Sequence, residues 1–229
     1  ELEEVDWPEA IKEQQRNWIG RKTGAEIHFA IEGTDKELVA FTTRPDTLFG
    51  VTFFVIAPEH PLVDEVTTDA CRDSVSAYRE KAARMSDFDR TFENRKKTGV
   101  FTGGYVKNPI TGEKVPVYVG DYVLATFGTG AVMGVRAHDE RDFEFARTFN
   151  LPITPVLVPA QAADKVVAAV KEGEVSWTEA GVMLPNSHAV AVELSLEGIS
   201  NEEAAERIVS WLAKNSFGRK VVNYKLRDW

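Results

Sequence analysis

Apolar and polar positions along this chain follow two different periods. In WPEAIKEQQRNWIG, Ile11, Gln15 and Trp18 recur at helical spacing, with Pro8 early and Gly20 late, which predicts a short helix ending near Gly20. The runs AEIHFAI, ELVAFTT, GVTFFVIA, EKVPVYVG, DYVLATF, ITPVLVPA and KVVNYKL are apolar or β-rich and predict strands, separated by turns such as EGTD, NPITG and VGD. TDACRDSVSAYREKAAR, ADKVVAAVKEG and NEEAAERIVSWLAKN hold a helical period, the last with Asn201 placed to cap and Gly218 following. No internal repeat or low-complexity tract interrupts the series. Strands do not alternate regularly with helices, so the pattern predicts an α+β domain: a closed or strongly curved, β-barrel-like core carrying peripheral helices, not a doubly wound sheet.

Composition narrows the class without naming a function. A chain of 229 residues, 43% hydrophobic and 28% charged, has the balance of a globular domain able to bury a core. No apolar run approaches the roughly 18 to 20 residues of a spanning helix, and ELEEVDWPEA has neither the basic nor the apolar section of a signal peptide, so a cytoplasmic location is expected. The lone Cys71 excludes an internal disulfide framework and a cysteine-based zinc site. A net charge of −9 argues against a whole surface that wraps nucleic acid, yet leaves two local basic patches: Arg95-Lys96-Lys97, and Arg219, Lys220, Lys225 and Arg227.

Two stretches carry candidate chemistry. In GTGAVMGVRAHDERDFEFA, residues 128–146, a glycine-hinged apolar run leads into His138, three acids and an arginine. The glycines do not make a dinucleotide fingerprint or a phosphate loop, so they read as places where backbone approaches closely. Asp139 is a natural N-cap, Asp142 falls at the third helical position, and Phe145 and Phe149, four apart, can pack inward. Acids in a first turn complement the helix dipole, and the same carboxylates facing a cleft can hold an ammonium group. Upstream, FTTRPDTLFG gathers Thr42, Thr43 and Thr47 around an Arg44-Pro45-Asp46 turn. Threonine is common in strands, but three hydroxyls beside one tight turn can also orient water or a ribose hydroxyl, and a threonine methyl can act as a steric stop.

Together, WPEAIKEQQRNWIGRKTGAEI, FTTRPDTLFGVTFFVIAPEHPL and FGTGAVMGVRAHDERDFEFA resemble the editing insertion, connective polypeptide one, of bacterial leucyl-tRNA synthetases. NRKKTGVFTGGYVKNPITGEKVPVYVGDYVL fits the segment between the motifs, and VVNYKLRDW resembles the return to the family's catalytic domain. The resemblance implies the Val/Leu/Ile-tRNA synthetase editing fold, with residues 1–229 as a single editing domain and 1–20 and 219–229 as its connecting segments. The family's ATP-handling signatures, H-I-G-H and K-M-S-K-S, do not occur in these residues, so no leucine activation is expected of them. No cofactor is implied, ATP and magnesium belonging to the catalytic domain. The implied activity is hydrolysis of the ester joining a noncognate amino acid (isoleucine, norvaline or methionine) to the 3′ end of tRNA(Leu). The implied partner is that acceptor end, with no membrane and a monomeric state.

By the same resemblance, Asp142 holds the substrate's α-ammonium group, Thr42 and Thr43 line the scissile ester and position water, and Arg44 orients the turn or the acceptor end. Thr47 blocks leucine, and Met133 and Val135 stand at pocket-wall positions. Phe127 sits where tyrosine is common, while His138, Asp139 and Arg141 flank the substrate region. Arg136 stands where the family usually has proline, and NSHAVAVELSLEGIS replaces the family's N-S-G-E-F-D-G. Hydroxyl hydrogen bonds and the neighbouring ribose hydroxyl can assist a positioned water, so the implied mechanism needs no metal. No general base is assigned: G-x-S-x-G is absent, His28, His60 and His188 sit in unrelated contexts, and His138 fits a scaffold as well as a proton carrier. Two other classes stay open: a metal-dependent phosphohydrolase built on His138, Asp139 and Asp142, and a non-catalytic RNA-binding module using the basic C-terminal patch.

Overall fold

The computed structural model describes residues 2–91, 97–126, 128–135, 137–138, 145, 149, 151 and 154–224. Helix α1 (Glu9–Ile19) stops where the glycine predicts: Gly20 is left-handed, and its N–H donates to Arg16 O at 3.1 Å. Strand β1 (Arg21–Ile31) follows and turns back into β2 (Glu37–Thr42), pairing from Ala25↔Thr42 to Ala30↔Glu37. The other edge of β1 is shared. Strand β9 (Gly218–Tyr224) pairs with its first half and β4 (Gly99–Lys107) with its last two residues.

The sheet continues from β4 through β5 (Lys114–Gly120) and β3 (Phe53–Ile56) to β6 (Ala131–Gly134), giving the order β2-β1-β4-β5-β3-β6. Among the described residues only β3 and β5 pair in parallel; the other ladders of this sheet are antiparallel. All four residues of β3 are buried, which explains its uninterrupted apolar sequence. Phe54 and Ile56 join the main core with Phe29, whose ring meets Phe54 edge-on at 4.9 Å. Phe53 and Val55 face a second cluster with Tyr118 and Phe145.

Strands β2 and β6 end the pairing path, yet they lie against each other. At about 4.8 Å between neighbours, a flat sheet would hold them more than 20 Å apart, so the sheet curls strongly. Among the described residues no ladder joins β2 to β6. The architecture is therefore a mixed α/β fold around a curled, open central sheet, and the barrel-like expectation holds only as far as the curvature.

Short helices surround the sheet: α2 (Val63–Val66), α3 (Arg72–Ala83) and α4 (Asp87–Thr91) between β3 and β4. The C-terminal part carries β7 (Leu157–Val158), α5 (Asp164–Lys171), β8 (Val182–Met183), α6 (Ala189–Glu193) and α7 (Asn201–Lys214). Four local expectations need correction. DYVLATF forms turns over 121–126, and ITPVLVPA contributes only the two residues of β7. Strand β4 escapes the sequence pattern because Gly103-Gly104 breaks the alternation; Gly103 has φ +77° and the β4–β5 register shifts between Phe101 and Tyr105, a bulge. Finally, α7 is capped by Ser200, whose hydroxyl accepts from Glu203 N at 3.2 Å, while the Asn201 side chain accepts from Gly181 N at 3.0 Å.

Candidate functional site

The threonine-rich stretch begins where β2 ends. Thr42 Oγ1 accepts from Arg44 N at 2.9 Å, a local side-chain bond that competes with continuation of the strand. Pro45 then opens a 3-10 helix, Pro45–Gly50, in which every residue is buried. Thr47 has no exposed surface; its N–H and its hydroxyl both donate to Arg44 O, at 3.1 and 2.7 Å. Arg44 grips Asp46, with Nε at 3.1 Å from both carboxylate oxygens and Nη2 at 2.8 Å from Oδ2, and its Nη1 donates to Thr178 O at 2.9 Å. Asp46 is 1% exposed, and burial raises its pKa even though the Arg44 guanidinium opposes the rise. Arg44 is therefore spent on the turn and on the Thr178 carbonyl.

The second stretch is built around β6. Gly134 pairs with Phe53, and a Cβ on it would sit 2.1 Å from the Phe53 ring, so the close approach inferred from the glycines is real here. Phe53 stacks on Phe145 at 5.0 Å, and Phe145 on Phe149 at 4.4 Å, the inward packing their spacing predicts. After β6 the chain turns, His138 N donating to Val135 O at 3.0 Å. His138 is 5% exposed. Its Nδ1 lies 3.0 Å from Trp177 O and its Nε2 accepts from Val156 N at 3.0 Å. A carbonyl partner on one side and an N–H partner on the other fix the neutral Nδ1–H tautomer. Burial pushes its pKa down to about 4, with the positive charge of Arg44 adding to the effect and the Trp177 carbonyl partly opposing it. Both nitrogens are thus committed to the backbone, and neither is left to carry a proton or bind a metal.

The β2–β6 contact brings the two stretches together: a Cβ on Gly128 would come within 3.9 Å of Phe41, the residue before Thr42. Thr43 is exposed beside this contact, Thr42 and Arg44 are half-buried, and Met133 and Val135 are 6% and 8% exposed in the adjoining core. Phe127, Asp139, Arg141 and Asp142 lie outside the described residues, as does Arg136. Thr43 and Pro45 also line a cleft of about 340 Å³ shared with Thr23 of β1, Val209 of α7 and Lys220 of β9. Thr47, Met133 and Val135, all buried, do not line it. Among the described residues no three His, Cys, Asp or Glu side chains are placed to hold a metal. Sequence reasoning missed Val156, Trp177 and Thr178, which act through main-chain atoms and leave no mark on residue type.

Comparison with known proteins identifies the family. The family model for the leucyl-tRNA synthetase editing domain matches residues 16–213. The leucine–tRNA ligase of Chloroherpeton thalassium is 48% identical over all 229 residues, which span 27% of that protein, and that of Borrelia hermsii is 47% identical, with 26% of its length spanned. Among solved structures, the ternary LeuRS-tRNA-LeuAMS complex of Agrobacterium radiobacter matches with a TM-score of 0.72 and 36% identity, over all of this chain and 23% of that one. The chain belongs to the leucyl-tRNA synthetase editing-domain family. It spans about a quarter of the length of these relatives.

Proposed function

We propose that the chain performs post-transfer editing: it hydrolyses the ester between a noncognate amino acid, isoleucine, norvaline or methionine, and the terminal adenosine of tRNA(Leu). The observation that supports this reading is the β2–β6 contact, which brings the strand ending at Thr42 against the strand that leads into the turn at His138, with the exposed Thr43 following directly on β2. An aminoacyl ester is already activated, so hydroxyl hydrogen bonds to a positioned water, with help from the neighbouring ribose hydroxyl, suffice without a metal. The committed nitrogens of His138 support a mechanism with no histidine base, and they count against the metal-dependent phosphohydrolase.

A second, sorting site is needed because a methylene difference in an apolar pocket yields only about 1 to 3 kcal/mol in the first, synthetic site, and that second site must spare the cognate leucyl ester. In this reading Asp142 pairs with the α-ammonium group, Thr42 and Thr43 orient the water, and Thr47 supplies the stop that excludes leucine. The tRNA partner is supported by the tRNA present in the Agrobacterium complex.

The experiment is a deacylation assay on isoleucyl- and leucyl-tRNA(Leu), using the full-length gene product and its Asp142→Ala variant. The wild type should clear the isoleucyl ester and spare the leucyl ester, and the variant should lose editing while folding normally, since an acid at the first-turn position that the sequence predicts for Asp142 contributes only about 0.3 to 1 kcal/mol to a helix. Full editing by Asp142→Ala would sink the ammonium assignment, and tRNA binding without any deacylation would favour the RNA-binding module.

A further inference from the structure

Trp177 and Thr178 touch both halves of the site, and they do so through consecutive main-chain carbonyls. Thr178 O accepts from Arg44 Nη1 at 2.9 Å, and Arg44 in turn holds Asp46 and, through its own carbonyl, Thr47. Trp177 O accepts from His138 Nδ1 at 3.0 Å, and Trp177 N donates to Ala137 O at 2.8 Å. The segment is itself fixed at two points. The Trp177 indole N–H donates to Ala180 O at 3.1 Å and its ring packs against the main core. Just beyond, Gly181 exchanges main-chain and side-chain bonds with Asn201 at the start of α7, 3.1 Å to Gly181 O and 3.0 Å to Asn201 Oδ1.

We propose that Trp177–Thr178 is a positioning strap: by holding Arg44 on one carbonyl and His138 on the next, it sets the spacing between the threonine turn and the turn after β6, and Trp177 is its anchoring side chain. This inference rests on the editing reading for its kinetic arm. Neither residue reaches the reacting atoms; each acts through the residues it holds. The two turns come from different strands, and no ladder among the described residues joins those strands, so the curled sheet alone leaves their separation free to breathe. Three hydrogen bonds from one anchored dipeptide restrict that freedom, one of them to the buried His138 ring and one to the cationic Arg44 guanidinium at the exposed end of the strap. A hydrolysis that relies on orienting a water, with no base to compensate, is the kind of step that a misplacement of about 1 Å slows by on the order of 100-fold.

The test uses Trp177→Ala, which removes the anchor but leaves every main-chain group of the strap in place, and Trp177→Phe, which keeps the aromatic packing. In the full-length gene product, Trp177→Ala should lower kcat for isoleucyl-tRNA(Leu) hydrolysis on the order of 10- to 100-fold while KM stays within about twofold, and Trp177→Phe should restore most of the loss. Nitrogen-15 NMR of the His138 ring gives a readout independent of activity: the wild type shows a single Nδ1–H tautomer at neutral pH, and Trp177→Ala should show tautomer mixing. An unchanged kcat in Trp177→Ala, or a lowered kcat with unchanged ring signals, overturns the strap. If the alanine variant does not fold, Trp177→Leu makes the same test with bulk retained. A wild type inert on every aminoacyl ester defeats the editing reading instead, and the ring signals then decide the strap alone.

Discussion

Thr47 is held more tightly than its sequence context indicates. A free threonine can occupy more than one χ1 well, but here the hydroxyl is fixed on Arg44 O, so the γ-methyl points in one direction. Isoleucine and leucine are isomers, and transfer free energy cannot separate them, so a leucine stop must work by shape. Thr47 has no exposed surface in the unliganded chain, and a substrate side chain therefore reaches the methyl only when its covering neighbours shift. The two parts of the side chain can be tested separately. Thr47→Val keeps the branch and loses the hydroxyl bond, at a cost near 1 kcal/mol, because Arg44 O still accepts from residue 47 N. Thr47→Ala removes the stop. The valine variant should still spare leucyl-tRNA(Leu), whereas the alanine variant should hydrolyse it on the order of 10- to 100-fold faster than wild type and still clear isoleucyl-tRNA(Leu). Leucyl ester hydrolysis rising equally in both variants would move the gate from the methyl to the hydroxyl; no rise in either would point to Met133 or Val135.

At the scale of elements, the glycines of the second stretch define what β6 can be. Gly134 lies across from Phe53, whose ring is itself stacked on Phe145 and cannot swing aside. An added Cβ 2.1 Å from that ring forces β6 or the aromatic stack to move. Gly134→Ala should therefore cost about 1 to 3 kcal/mol in urea unfolding, with editing impaired as well because the shift passes directly into Val135 and His138. Unfolding at the wild-type midpoint would show that the stack yields freely. The same elements show how far the sequence was legible. Helix α1 and strands β1, β2, β5 and β9 follow from their periodicity, Gly20 marks its own helix end, and Phe145 and Phe149 face inward as their spacing requires. Strand β4 was hidden because its bulge needs Gly103-Gly104, residues that in sequence read as a break. The α7 cap was misread by one position because Ser200 and Asn201 are both good caps, and only the tertiary bond to Gly181 decides between them. The threonine turn was legible by residue type; the strap that holds it to His138 was not, since carbonyls are common to every residue.

The whole molecule is tied together at His138, and that tie has a pH dependence. The ring bridges three separate parts of the chain: the turn after β6, Val156 leading into β7, and Trp177 leading into β8. Protonating it would add a charge in a dry site, near Arg44, and would destroy the acceptor that Val156 N uses. Its pKa in the folded chain is about 4, below the 6.5 of a free histidine, so between these values the unfolded chain binds more protons than the folded one. Stability from this group is therefore complete above about pH 6.5, falls as the pH drops through that window, and stops falling near pH 4. The loss across the window amounts to roughly 3 kcal/mol. His60, also lowered by burial, acts in the same direction, while Asp46, raised by burial, acts in the opposite one as its carboxyl takes up a proton. A nontitrating ring substitute isolates the larger contribution. His138→Gln should be less stable than wild type at pH 7, and its unfolding free energy, followed by urea titration from pH 7 to pH 4.5, should fall less steeply than that of wild type. Parallel curves for the two chains would mean that His138 takes up its proton in the folded state as readily as in the unfolded one, and would remove the ring from its place as the neutral link among these three segments.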